Sequence, residues 1–233
     1  MNQRYLTLAR DPRIIPGVHH YCDEWCDYCD LTSRCLGYRC TQEFRKQHGR
    51  RDGEPTFRSI EQAVAFTREL SAVEGSRTDE LDALLSSPAG KSGVNTSDPL
   101  ASQAWEYAVR VAFIMAPFVT EIAARTGRSP SGPDSEEVVL WYHLRIYMKV
   151  FRALVSRDTL GTTDRTDEAT GCAKLTLVSI ERSRRALQAL RSSWDSSDVD
   201  ALTSMLDSLE QGLNERFPEA RKFLRIGLDC PAA

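Results

Sequence analysis

The chain has 233 residues, 41% of them hydrophobic and 27% charged, with a formal net charge of −3. Such a length buries a core without disulfide staples, and so mild an acidic balance gives no overall pull toward nucleic acid or an anionic membrane surface. No run approaches a membrane span, and the opening MNQRYLTLARDPRIIPG lacks the apolar core of a signal peptide; a cytoplasmic protein is expected, with neither a membrane nor a nucleic-acid partner.

The first feature along the chain is a crowd of cysteines. Five of the seven fall between positions 22 and 40, in GVHHYCDEWCDYCDLTSRCLGYRC, while Cys172 and Cys230 stand alone. Disulfides do not persist in a reducing compartment, and cysteines serving as core filler would be scattered over apolar faces. Clustering among Asp and aromatic residues asks instead for a shared ligand. The spacing Cys22-x3-Cys26-x2-Cys29-x5-Cys35 marks these four as the expected metal ligands, with His19, His20 and Cys40 as possible extra donors. Thiolates are soft, which narrows the cofactor to zinc or an iron–sulfur cluster.

For zinc, Cys26-x-x-Cys29 grips one edge of a tetrahedron, and Cys35 with Cys22 or Cys40 supplies another. Were residues 22–29 one regular helix, these cysteines would spread over roughly 10 Å of axis, too far for a single ion. Either that helix breaks or the ligand is a larger object, a 4Fe-4S cluster. The Cys-x3-Cys-x2-Cys pattern also occurs in radical S-adenosylmethionine enzymes, but the strand–helix alternation of those enzymes is absent here. Asp23, Glu24, Asp27 and Asp30 surround the thiols with negative charge, which disfavours adding an electron to an anionic cluster. Structural zinc is therefore the expected cofactor and a 4Fe-4S cluster the alternative. Trp25, Tyr28 and Leu31 can pack so small a module against a neighbouring surface.

The stretch EFRKQHGRRDGEPT reads as a connector whose Arg45, Lys46, His48, Arg50 and Arg51 form a solvated charge run. A helix is expected over residues 59–73, where Ile60, Ala63, Val64, Phe66, Leu70 and Val73 recur at helical spacing before Gly75. A shorter helical piece over 79–85 leads into the flexible SSPAGKSGVNTSDP linker.

Four long helices are expected beyond it. The first covers 99–126, capped by Ser97 or Asp98 and kinked at Pro117. The second covers 135–157 with Leu140, Leu144, Tyr147, Phe151 and Leu154 on its inner face. The third, 167–193, carries a small-residue stripe of Ala169, Cys172, Ala173, Thr176, Ile180, Ser183, Leu187 and Leu190. The fourth, 197–217, has Val199, Leu202, Leu206, Leu209 and Leu213 as its seam and ends before Pro218. The pattern describes an all-α protein: a helix bundle preceded by a small cysteine-rich metal-binding segment and an additional helix. The expected division is 1–44 cysteine segment, 45–96 connector, 97–233 bundle.

Di-iron bundles use Glu-x-x-His motifs, and none occurs here; His143 reads as a border residue, and Glu106, Glu121, Glu181 and Glu210 as surface charges. Trp105, Trp141, Tyr142 and Tyr147 read as core packing. Nucleophilic triads and glycine-rich phosphate loops leave no trace, so enzymatic activity is left open.

The run from Tyr21 to Cys29, followed by Leu31-Thr32-Ser33-Arg34-Cys35, resembles the opening of an uncharacterised bacterial protein family with a CDxWCxxC...TxRC element. Phe217-Pro218-Glu219-Ala220-Arg221 and Arg225-Ile226-Gly227-Leu228-Asp229 are similar to the ends of its members. The resemblance implies a coherent unit distinguished by the four cysteines and nothing catalytic. The reading that emerges is a metal-binding helical protein whose four-cysteine site supports the fold and offers a surface to a protein partner. The alternative is an iron–sulfur protein with a redox or catalytic role.

Overall fold

The computed structural model describes residues 3–51, 53–75, 98–124, 132–158 and 163–229. Among them the elements are helical, without a strand. They fall into two compact units, one of residues 3–75 with 225–229 and one of residues 98–224. The protein is all-α, with a cysteine-rich N-terminal segment and a helix bundle. The expected helix over 79–85, most of the linker after it and Cys230 lie outside the described residues.

The first unit holds α1 (Gln3–Ala9), α2 (Leu36–Gln47) and α3 (Ile60–Glu74), with 3-10 turns at Cys26–Tyr28 and Thr32–Arg34. Leu36, Cys40 and Phe44 recur every fourth residue along α2 and bury one stripe against Tyr5 of α1 and Phe66 of α3. Phe66 meets Tyr5 edge-on at 5.9 Å, Phe44 at 5.4 Å and Phe57 at 5.2 Å. Helix α3 was expected inside a connector; it instead packs on α1 and α2 as part of their core. The basic stretch differs from expectation too, since Arg45 donates to the Glu54 carbonyl, the Thr56 hydroxyl and the Arg51 carbonyl, and Arg50 to the Thr56 carbonyl and Gln62. A guanidinium carries five donors in a fixed fork. These two fold the loop onto itself and are not a solvated run.

A second cluster of Ile15, Val18 and Cys35 gathers Leu31, Tyr38 and, from the C-terminal tail, Leu228. The tail is shaped by Arg225, 7% exposed, whose guanidinium and amide both bond to the Asp229 carboxylate. Gly227 lies in the left-handed region at φ 77°, and a Cβ there would sit 3.1 Å from Ile15. The tail thus belongs with the cysteine segment, although the expected division left it with the bundle.

The second unit holds α4 (Pro99–Met115), α5 (Val119–Ala124), α6 (Ser135–Asp158), α7 (Thr163–Leu190) and α8 (Ser196–Arg216). Helix α4 packs on α6 and α8, and α7 closes the ring by packing on α6 and α8. Asp98 caps α4 by accepting from the Leu100 amide at 2.8 Å, Pro99 occupies the first turn, and the same carboxylate pairs with Arg216 of α8. Pro117 does more than kink the expected 99–126 helix. It breaks it, with a turn at 116–118 before α5 begins.

Every residue of the expected α7 stripe and α8 seam is buried. The expected α6 face is not the inner one. Val139, Tyr142, Ile146, Val150, Ala153 and Leu154 are buried, whereas Leu144 is 47% exposed and Leu140, Tyr147 and Phe151 are half-buried. VVLWYHLRIYMKVF is apolar around most of its circumference, so spacing alone does not select a face. Of the expected core aromatics only Tyr142 is fully buried. Trp105 is 52% exposed and packs on Tyr147 at 5.0 Å outside the core, and Arg145 covers the Trp141 ring at 4.3 Å.

Candidate metal centre

The four expected ligands lie on the irregular stretch between α1 and α2. No helix spans residues 22–29. Glu24 takes a left-handed conformation at φ 55°, which an L-residue other than Gly or Asn adopts at a cost, and it interrupts any helix between Cys22 and Cys26. Two 3-10 turns follow, each closed onto a cysteine: the Cys29 amide donates to the Cys26 carbonyl at 3.3 Å, and the Cys35 amide to the Thr32 carbonyl at 3.4 Å. Cys29 and Cys35 end those turns in nearly the same extended conformation, at φ −101°, ψ 121° and φ −98°, ψ 117°. A 3-10 turn eclipses side chains at i and i+3, so Cys26 and Cys29 stand on the same side of theirs.

The segment is held by its backbone neighbours. The Ile15 amide donates to the Arg34 carbonyl at 3.0 Å, and Arg34 returns a bond to the Arg13 carbonyl at 3.1 Å. Arg13 and Arg39 both grip Asp11, holding its carboxyl well below the usual carboxylate range. Cys35 is thereby fixed at the start of α2, where its sulfur receives the Tyr38 amide at 3.4 Å as an N-cap. Cys22 similarly receives the Glu24 amide at 3.4 Å. Amide donors and a helix N-terminus both favour a thiolate over a thiol.

All four sulfurs share one electrostatic neighbourhood. Burial pushes the Cys26 thiol up to about 12, with Cys22, Cys35 and Cys29 each adding to the rise. Cys22 is pushed to about 11, again by burial first, against the lowering effect of the Glu24 amide. Cys35 is raised by burial while the Tyr38 and Gly37 amides oppose the shift. Crowding thiols in this way is unfavourable for their ionised forms unless a cation neutralises them. The soft donor set and its amide bonds suit zinc.

Cys40 differs in its packing: it is fully buried on the inner stripe of α2, and burial raises its thiol to about 12, with Glu74 and Cys35 adding to the rise. Cys172 is buried in the α7 stripe, in the other unit. His143 bonds through Nδ1 to the Leu140 carbonyl, and burial lowers its pKa, as suits a border residue.

Among the described residues, the donor atoms that converge within 4.8 Å are not thiols but those of His19, His20 and Glu74. Sequence spacing offered the two histidines only as extras to the thiols, and nothing pointed to Glu74, which lies 54 residues from His20. No helix of the described residues is long and apolar enough to cross a membrane. No protein-family model matches the chain, and neither a curated protein nor a solved structure matches it.

Proposed function

We propose that this is a metal-binding helical protein whose Cys22, Cys26, Cys29 and Cys35 hold one structural zinc ion. The observation that carries the reading is that the irregular backbone brings Cys26 within electrostatic reach of Cys22, Cys35 and Cys29, with Cys26 and Cys29 on one 3-10 turn and Cys35 at the cap of α2. Core packing alone needs no such arrangement, and Cys40 illustrates the alternative by burying its sulfur among Tyr5, Leu36 and Phe44. The broken backbone between Cys22 and Cys35 removes the objection that a regular helix would string the thiols out. The acidic side chains between them favour an ion without redox change over a cluster that must accept electrons.

The metal would cross-link turns that have little core of their own to the start of α2. Trp25 and Tyr28, half-exposed and packed edge-on at 5.1 Å, would then form a rigid aromatic patch for a protein partner. A reducing, cytoplasmic setting, in which thiols stay available as ligands, and kinship with the CDxWCxxC...TxRC proteins, on the residue pattern alone, belong to the same proposal.

Elemental analysis of untagged, anaerobically purified chain tests the proposal. A colourless protein with stoichiometric zinc that is lost on Cys26→Ser supports it. Broad absorption near about 400 nm with bound iron would replace zinc by the 4Fe-4S cluster, and a metal-free chain of unchanged stability would sink both.

A further inference from the structure

We propose that His19, His20 and Glu74 form a second metal site, separate from the thiols, for a first-row divalent cation of borderline softness, with positions left open to solvent. His19 Nε2 lies 3.3 Å from Glu74 Oε1, and His20 Nε2 lies 3.3 Å from Glu74 Oε2. Charge-assisted N–H···O bonds settle at about 2.7–2.9 Å. By contrast, donors placed about 2.0–2.1 Å from a tetrahedral ion stand roughly 3.3 Å apart. The two rings meet edge-on, with centroids 4.6 Å apart, so both nitrogens reach the one carboxylate from different sides.

The placement of the carboxylate is an independent argument. Glu74 is the last residue of α3, before the left-handed Gly75, at the end of the helix where the peptide dipoles are negative. Its side chain is only 15% exposed, and its charge also raises the Cys35 and Cys40 thiols. A largely buried anion in such a place needs a compensating cation. The partners found for it among the described residues are two imidazoles; burial pushes its carboxyl up, and the bonds from His19 and His20 outweigh that and hold it down to about 2. A carboxylate kept ionised beside two imidazole nitrogens is a ready ligand, and one divalent ion bound to all three would serve as its counter-charge.

Gly37 makes room for the first ligand. A Cβ on it would lie 2.9 Å from His19 Cδ2, so the ring rests against bare backbone at the start of α2 while its Nε2 faces Glu74. The other nitrogen, Nδ1, is buried without a partner. Ligating imidazoles usually hand that N–H to an acceptor, which is worth about 10–100-fold in affinity, so this site is the weaker of the two. His20, with its side chain 43% exposed, leaves the site open on one side. Two imidazoles and a carboxylate with open positions suit zinc or iron(II) and discriminate against magnesium and calcium.

The inference does not require the thiols to be ligands, and zinc stoichiometry on the full chain tests the two sites separately. The chain is stripped with chelator, reloaded with zinc, and assayed for bound metal, with helical circular dichroism and melting as the check on folding. The expected result is two ions per chain, falling to one in Glu74→Gln and in His20→Gln, to one in the Cys26→Ser/Cys29→Ser pair, and to none when the two sets are combined. A mild chelator should remove the Glu74-dependent ion first. With cobalt(II) in place of zinc, the near-ultraviolet sulfur-to-metal band should survive Glu74→Gln and vanish in the cysteine pair. A single ion kept in full by folded Glu74→Gln and His20→Gln overturns the second site and leaves an ordinary His–Glu contact. A single ion lost from both sets of variants also overturns it, making the histidines and Glu74 part of one thiol-containing site. Metal lost from Glu74→Gln but kept by the cysteine pair overturns the four-thiolate reading and leaves this one standing.

Discussion

Cys35 and Cys40 are five residues apart on one turn-and-helix segment and have opposite chemistry. The Cys35 sulfur faces amide donors at a helix N-terminus, whereas Cys40 is buried in the core cluster with Tyr5, Leu36, Phe44 and Phe66. Serine at Cys22, Cys26, Cys29 or Cys35 should sharply lower bound metal, read by elemental analysis. Cys40→Ser should leave the metal in place, yet Cys40 is fully buried, and a hydroxyl without a planned partner there should cost about 1–3 kcal/mol in a thermal melt. Cys172→Ala, in the α7 stripe, should cost about 1 kcal/mol and leave the metal untouched. The raised thiols also set a pH dependence. Cys22 and Cys26 titrate near about 11 and 12 in the metal-free fold, so zinc must displace their protons, and its affinity should fall steeply as pH drops from about 8 to about 6 in chelator competition. Without metal the sign reverses. A fold that holds these protons more tightly than the unfolded chain keeps that stability below the ordinary thiol range and loses it as pH rises toward about 11 to 12.

At the scale of elements, the caps and one aromatic side chain decide where helices stop and what they bury. Asp98 closes the first turn of α4 and pairs with Arg216 at the far end of α8, tying two helices that meet side by side in the bundle. Asp98→Ala should lower stability by about 1 kcal/mol, most of it from the lost cap, as measured by urea denaturation. Phe66 is the buried residue of α3 and contacts Tyr5, Phe44 and Phe57. Phe66→Ala should cost about 3–5 kcal/mol and release α3 from α1 and α2, seen as accelerated amide exchange confined to residues 3–75. Release of α3 would also withdraw Glu74 from the two histidines.

At the scale of the molecule, the division into units makes a further prediction about truncation. The bundle buries its four seams within residues 98–224, and the tail at 225–229 lies with the cysteine segment through Gly227 and Leu228. A fragment of residues 94–224 should therefore be helical and melt cooperatively without metal, as monitored by circular dichroism. A molten or insoluble fragment would mean that the bundle's core is incomplete. Conversely, the chain cut after Leu224 should keep the bundle's transition yet bind metal more weakly, because Ile15, Val18 and Cys35 lose the Leu228 side of their cluster.

The amino-acid sequence by itself determined the all-α class, the α7 and α8 seams, the Asp98 cap as one of two candidates, and the presence of a cysteine-rich N-terminal segment. Each of these is a local pattern: a 3-4 apolar period, a capping residue before Pro, or cysteines spaced within one short segment. Helix α2 carried such a period in Leu36, Cys40 and Phe44, masked by cysteines that also read as donors. The buried face of α6 could not be read, because a helix apolar on several sides is oriented only by its neighbours. Only the tertiary structure decided that Arg45 and Arg50 fold a loop, that the tail joins the cysteine unit, and that Glu74 meets His19 and His20. These pairings cross between 6 and more than 200 residues of chain, and no short-range periodicity encodes which distant side chains will share a buried charge.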